Sequence, residues 1–148
     1  MQIAEITPSE VPMELLLLAD PSEEAIKRYL YQSRCFAAHD KGAIVGACVI
    51  KPIYKGALEL MNIAVSPAVQ QHGVGTQLLG YVIEKVKESG AHRLEVGTGT
   101  FGYQLTFYQR QGFRVDYIDK DFFLKNYPEP IIENGIQHKD MLRLSLTF

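Results

Sequence analysis

The first residues, Gln2-Ile3-Ala4-Glu5-Ile6, alternate in polarity and predict a strand. Thr7-Pro8-Ser9 is a helix-start signal, and the apolar positions that follow predict a helix over 9–19 ending near Asp20-Pro21. Ser22, followed by Glu23 and Glu24, predicts a cap for a second helix reaching about Tyr31. Ala25, Ile26, Tyr29 and Leu30 form its apolar face. The period then changes. Residues 34–39, 43–53 and 57–66 read as strands separated by the turn signals Asp40-Lys41-Gly42 and Lys55-Gly56. An antiparallel meander is the economical interpretation.

After Pro67 the spacing becomes helical, with Val74, Leu78, Leu79, Val82, Ile83 and Val86 on one face and Gly90 placed to end the helix. Residues 93–98 predict a buried strand, 103–111 a short helix stopped by Gly112, and 113–118 another strand. Strands alternating with helices imply crossovers and some parallel pairing. Residues 119–137, with Pro128, Pro130 and Asn134-Gly135, read as an irregular excursion before a final strand over 139–148. With no repeat or linker, the expectation is one α/β domain over 1–148, a central mixed sheet of about seven strands flanked by about four helices.

Composition narrows the class. A net charge of −2 argues against a nucleic-acid binder that relies on a broad basic surface. No stretch approaches the roughly 20 apolar residues of a membrane span, and the run Leu15–Ala19 lacks a basic leader. Cys35 and Cys48 sit in apolar strands with no CxxC, which implies reduced thiols and a cytoplasmic setting. His39, His72, His92 and His138 are scattered, so no metal is expected.

The chemistry concentrates where the meander meets the long helix. A strand ending at Ser66, a bend through Gly73 and Gly75 and a helix starting there would leave backbone N–H groups and the positive helix end facing outward. Such a site favours a phosphate-bearing ligand, and glycine lets it approach closely. Two nucleotide motifs fail. Gly75 is followed by Thr76 and Gln77 instead of the Lys-Ser/Thr of a P-loop. His72-Gly73-Val74-Gly75 supplies only a fragment of the dinucleotide fingerprint and follows an antiparallel meander.

The form Gln/Arg-x-x-Gly-x-Gly/Ala does fit, as Gln70-Gln71-His72-Gly73-Val74-Gly75. With "NIAVSP" before it and "FYQRQGF" (107–113) after it, the chain resembles the GNAT superfamily of acyl-CoA-dependent N-acetyltransferases. The resemblance covers 2–118 in element order and is sharpest over 57–113. It implies acetyl-CoA as cosubstrate. Ile63 and Val65 occupy the strand whose backbone holds the pantetheine arm, and Gln70 opens the motif. The amides of Gln71, His72, Gly73, Val74, Gly75 and Thr76 are expected around the pyrophosphate, and Tyr108 near the thioester sulfur.

An amine is mostly protonated at neutral pH and must lose a proton before attacking a thioester, so a carboxylate near the acyl carbon is needed. Glu59 stands where several family members resembling this chain carry their base, and it reads equally as a solvated residue between Leu58 and Leu60. Tyr108 would donate to the departing thiolate, and a backbone N–H of the same strand as Glu59 would polarise the carbonyl. On periodicity alone, Tyr108 is an ordinary helix tyrosine. Thr98 and Thr100 hold two readings, cofactor contact or turn cap. Thr100 and Phe101 stand near where many relatives have an asparagine. The excursion at 119–137 reads either as an acceptor wall or dimer contact, or as a loop packed over the sheet end.

The leading function is therefore N-acetyltransfer from acetyl-CoA to a small-molecule or peptide amine by direct attack. A non-catalytic acyl-CoA sensor of the same fold is the alternative, and an unrelated phosphate-ligand binder is a third. Asp116, Asp119 and Asp121 would attract a cationic amine or serve as a solvated cluster. Homodimers are common in the family, but no interface is readable here.

Overall fold

Four strands open the sheet in the computed structural model, which describes all 148 residues. They are β1 (Gln2–Ile6), β2 (Arg34–Asp40), β3 (Ala43–Tyr54) and β4 (Ala57–Val65). β1 pairs with β2 from Gln2↔His39 to Ile6↔Cys35, and β2–β3 and β3–β4 are likewise antiparallel. Lys41 and Gly42, both at positive φ (52° and 81°), make the tight β2–β3 turn, whose backbone matches the strand twist. At the next turn glycine is required by its φ of 79°, and a Cβ on Gly56 would displace the exposed His92 ring, whose backbone N–H donates to the Gly56 carbonyl at 2.8 Å.

Alternation along β3 sends successive side chains to opposite faces. Ala47 and Val49 join Leu15, Leu16, Ile26 and Leu30 of the first two helices in one buried cluster. On the other face, the position of Gly46 lies against Val74 and Leu78 of α3 (Val74–Glu88), both at 3.4 Å from where its Cβ would be. α2 (Glu23–Leu30) begins where its sequence predicts, because the Ser22 hydroxyl accepts from the Ala25 N–H at 3.0 Å.

The helix expected over 9–19 is broken. A 3₁₀ turn at Pro8–Glu10 is followed by α1 (Met13–Leu16), only four residues long. Pro12 has no N–H to give and forces Val11 into an extended conformation (φ −77°, ψ 123°), so no helix crosses that point.

Residues 1–94 with Phe148 form one compact unit and 95–147 a second. The second contains most of β5 (Arg93–Gly99), α4 (Tyr103–Arg110), β6 (Arg114–Asp119), α5 (Phe122–Asn126), β7 (Ile132–Glu133), β8 (Ile136–Gln137) and β9 (Met141–Thr147). β6 pairs antiparallel with β9. The excursion expected to be irregular after residue 119 contains regular elements. It holds α5 and the β7–β8 hairpin, turned by Asn134-Gly135 with φ of 52° and 78°.

The seven-strand mixed sheet, in the order β1-β2-β3-β4-β5-β9-β6, is the architecture expected, with five helices in place of about four. No helix is long and apolar enough to cross a membrane.

Candidate acetyl-donor site

β4 stops at Val65, one residue earlier than its sequence suggests. The Ser66 N–H still bonds the Val45 carbonyl at 2.8 Å, and a 3₁₀ turn at Pro67–Val69 follows. The Gln70 side-chain amide donates back to the Val65 carbonyl at 3.1 Å, tying the turn to the strand end. The reversal then runs through Gln71 (φ 67°) and Gly73 (φ 78°), not through Gly75, which lies inside the first turn of α3.

Gly73 is the N-cap of α3. It offers no side-chain hydrogen bond, and the first bond of the helix is Gln77 N–H to the Gly73 carbonyl at 3.0 Å. The leading N–H groups of an α-helix have no partner within it, and here the first of them belong to Val74 and Gly75. No acidic residue occupies that turn, and a Cβ at Gly73 would meet nothing within 4 Å. Gln71, His72 and Gly73 are all exposed. An open, uncapped helix end of this kind attracts an anion.

β4 carries a feature that its sequence conceals. Val49 of β3 faces Asn62, while Ile50 faces Leu60, so Met61 is an extra residue and β4 bulges there. Asn62, 3% exposed, is pinned beside the bulge by donating to the Leu16 carbonyl at 3.0 Å and the Tyr29 hydroxyl at 3.1 Å. The Tyr29 hydroxyl in turn donates to Asp20 at 3.3 Å. Glu59 stands two residues before the bulge, half-buried between buried Leu58 and Leu60 and opposite Lys51 in the ladder. Ile63 and Val65 are half-buried further along.

In the second unit Tyr108 is buried, 5% exposed, in the last turn of α4. Gly112 (φ 100°) ends that helix and lets Phe113 return, so that its N–H bonds the Tyr108 carbonyl at 3.2 Å. The two rings meet edge-to-face at 5.5 Å, which gives "FYxxxGF" a packing reason of its own. Thr98 is buried with its hydroxyl on the Gly99 carbonyl, and Thr100 is exposed.

Sequence reasoning missed a part-buried pair in the same unit. His138, 6% exposed, meets Glu133 at 2.8 Å and stacks on Phe101 at 4.2 Å. A Cβ on Gly99 would strike this ring. Beside it is a cavity of about 130 Å³ lined by Phe123, Tyr127, Pro128, Pro130 and Ile131. Asn134-Gly135 was the available signal, since a two-residue turn implies the hairpin that presents Glu133. No group of three or more His, Cys, Asp or Glu residues gathers as a metal site.

Residues 5–113 match the model of the acetyltransferase (GNAT) family. The chain belongs to the GNAT family. It is 43% identical over 147 residues to an uncharacterized N-acetyltransferase of Bacillus subtilis, YvbK, covering 99% of this chain and 94% of that protein. Two solved structures are each 42% identical to it with a TM-score of 0.94. One is an IAA acetyltransferase from Bacillus cereus, with 99% of both chains covered. The other is a GNAT family acetyltransferase from Elizabethkingia anophelis with acetyl-CoA bound, with 99% of this chain and 97% of that one covered. This GNAT protein is thus an acetyl-CoA-dependent acyltransferase that acts on an amine acceptor. The uncapped start of α3, free of acidic side chains, fits the diphosphate of that donor.

The two thiols are poor nucleophiles in this setting. Both are free and buried; burial pushes Cys35 up to about 11 and Cys48 higher still, so neither is a thiolate at neutral pH. Iodoacetamide at neutral pH is therefore expected to leave acetyl transfer intact, checked by activity alongside intact mass. Inactivation tracking alkylation of Cys35 would show instead that a reactive thiol serves the enzyme.

Proposed function

We propose that residues 1–148 act as one N-acetyltransferase domain that moves the acetyl group of acetyl-CoA to an amine of a small molecule or peptide by direct attack. The observation that carries this reading is the open, uncapped N-terminus of α3 at Gly73. The amides from Gln71 to Thr76 hold the diphosphate, with Gln70 bracing the turn against Val65. The backbone of Ile63 and Val65 holds the pantetheine arm. Glu59 takes the ammonium proton, directly or through water, and an N–H of bulged β4 polarises the carbonyl. Tyr108 returns a proton to the departing thiolate. These roles rest on the family motif matched residue by residue.

Two buried, protonated cysteines support direct attack over an acyl-enzyme and suit a reducing cytoplasm. Polyamines, amino acids, antibiotics and peptide N-termini are the acceptor classes to compare. Release of CoA thiol across such a panel, with intact mass measured after exposure to acetyl-CoA alone, tests the reading. Saturable turnover on at least one primary amine is expected, with the protein's own mass unchanged. Turnover confined to hydroxyl acceptors, or a protein that gains an acetyl group and passes it on, would overturn it.

A further inference from the structure

Asn62 is a polar side chain where the fold would be served by an apolar one. It is buried within β4, and its Oδ1 has no hydrogen-bond partner. A bare acceptor away from water is destabilising. Only Nδ2 is used, donating to the Leu16 carbonyl at 3.0 Å and the Tyr29 hydroxyl at 3.1 Å.

Neither of those partners depends on Asn62. The Leu16 carbonyl also accepts from the N–H groups of Ala19 and Asp20, both at 3.1 Å. The Tyr29 hydroxyl also has Asp20, at 3.3 Å. Valine at this position would leave neither group unpaired, would remove the bare oxygen and would suit a strand better. Stability therefore does not account for the asparagine. A residue that breaks a local rule with no return in stability is expected where function requires it.

What Asn62 fastens is the bulge. Residues directly opposite each other in a ladder point to the same face. Asn62 lies opposite Val49 and Glu59 opposite Lys51, two residues further along β3, so Glu59 and Asn62 share a face. It is the face on which Val49 packs with Leu15, Leu16, Ile26 and Leu30. Three residues apart in a strictly alternating strand, Glu59 and Asn62 would point in opposite directions. The extra residue Met61 brings them together, and Asn62, next to it, ties the strand to α1 through Leu16 and to α2 through Tyr29.

We propose that Asn62 is a positioning residue for acetyl transfer, holding the β4 bulge in the shape that aims Glu59 and the carbonyl-polarising N–H. It touches neither substrate and acts through the strand. Its two bonds, one to each helix, fix the strand at the point where an error of a fraction of an ångström matters to the reaction. The inference rests on the catalytic use of β4 proposed above, and it is independent of which amine is the acceptor.

Asn62→Val and Tyr29→Phe test it in the full chain, the second removing one anchor while leaving residue 62 in place. Four quantities are compared with the wild type: melting temperature, calorimetric Kd for acetyl-CoA, kcat and KM for the fastest primary amine, and the NMR shift of acetyl-CoA labelled with carbon-13 at the acetyl carbonyl. A hydrogen bond to the carbonyl oxygen moves that resonance downfield, so binding to the wild type should do so. Asn62→Val should return it toward the free value and lower kcat roughly tenfold or more, with Kd, KM and melting temperature not impaired. Tyr29→Phe should move the resonance and kcat in the same direction by less. A lower melting temperature with kcat and the resonance unchanged would make Asn62 a core residue only and overturn the inference. A raised KM with kcat unchanged would do so too, by placing Asn62 in contact with the acceptor. No downfield movement in the wild type itself would instead remove the polarising N–H of β4, and the inference with it.

Discussion

Gly73→Asp is expected to abolish measurable acetyl-CoA binding while leaving the fold intact. Gly73 has φ of 78°, a conformation that aspartate tolerates better than most residues, and nothing within 4 Å would obstruct its side chain. Its carboxylate would stand beside the N–H groups of the first turn of α3, at the positive end of the helix. Those are the donors that the diphosphate needs. The substitution supplies an internal anion to the site and repels the incoming one. At an exposed position, with an effective dielectric between that of water and about 20, one unit charge about 4 Å from another costs roughly 1–4 kcal/mol. Added to the lost amide bonds, this predicts a Kd at least roughly 100-fold higher. Calorimetric titration with acetyl-CoA, with ATP and NAD as controls, checks it. Gly73→Ala separates the causes: it adds strain without charge, so its loss should be far smaller. An aspartate variant that binds acetyl-CoA like the wild type would remove the turn from the donor site.

The meander was legible because its signals are local and agree with one another. Lys41-Gly42 and Gly56 stand where strand-length runs end, and β1 to β4 begin and end within a residue or two of expectation. The long helix was equally plain, since its six periodic apolar positions are all buried. Pro12 stands inside the helix expected over 9–19, just ahead of the Leu15–Leu18 run. One missing N–H and one extended residue proved stronger than the apolar periodicity. The segment 119–137 went unread because α5 and the hairpin are too short to show a period.

The site was legible in unequal parts. The glycine turn announced itself, although the positive φ falls on Gln71 and Gly73 and not on Gly75. The bulge at Met61 was invisible. "ALELMNIAV" is apolar enough on both faces that inserting one residue leaves no break in the pattern, and only the pairing with β3 exposes it. Asn62 was hidden for a related reason. Within a strand it reads as a surface residue, and its partners at Leu16 and Tyr29 lie far away in sequence. Buried polar side chains that depend on long-range partners cannot be read from spacing. His138 and Glu133 are the same case on a shorter loop.

Glu59→Gln is expected to lower kcat by roughly 100-fold or more, within the range typical of a lost general base. Calorimetric affinity for acetyl-CoA should stay unchanged. Glutamine keeps the size and hydrogen-bonding ends of the side chain and removes the ability to take a proton, so the meander should hold its register. Glu59 also faces Lys51 across the ladder, and a purely structural role there predicts something different. Such a cross-strand pair is worth roughly 0.2–1 kcal/mol, which would appear as a small change in melting temperature with kcat untouched. The pH dependence separates the two further. A lysine-like amine has a reference pKa of roughly 10.4, so the unprotonated fraction that needs no base grows as pH rises. The variant's deficit should therefore shrink steadily toward alkaline pH. A deficit that is constant with pH, or a kcat equal to wild type, would take the base role away from Glu59 and leave it a strand residue beside a bulge.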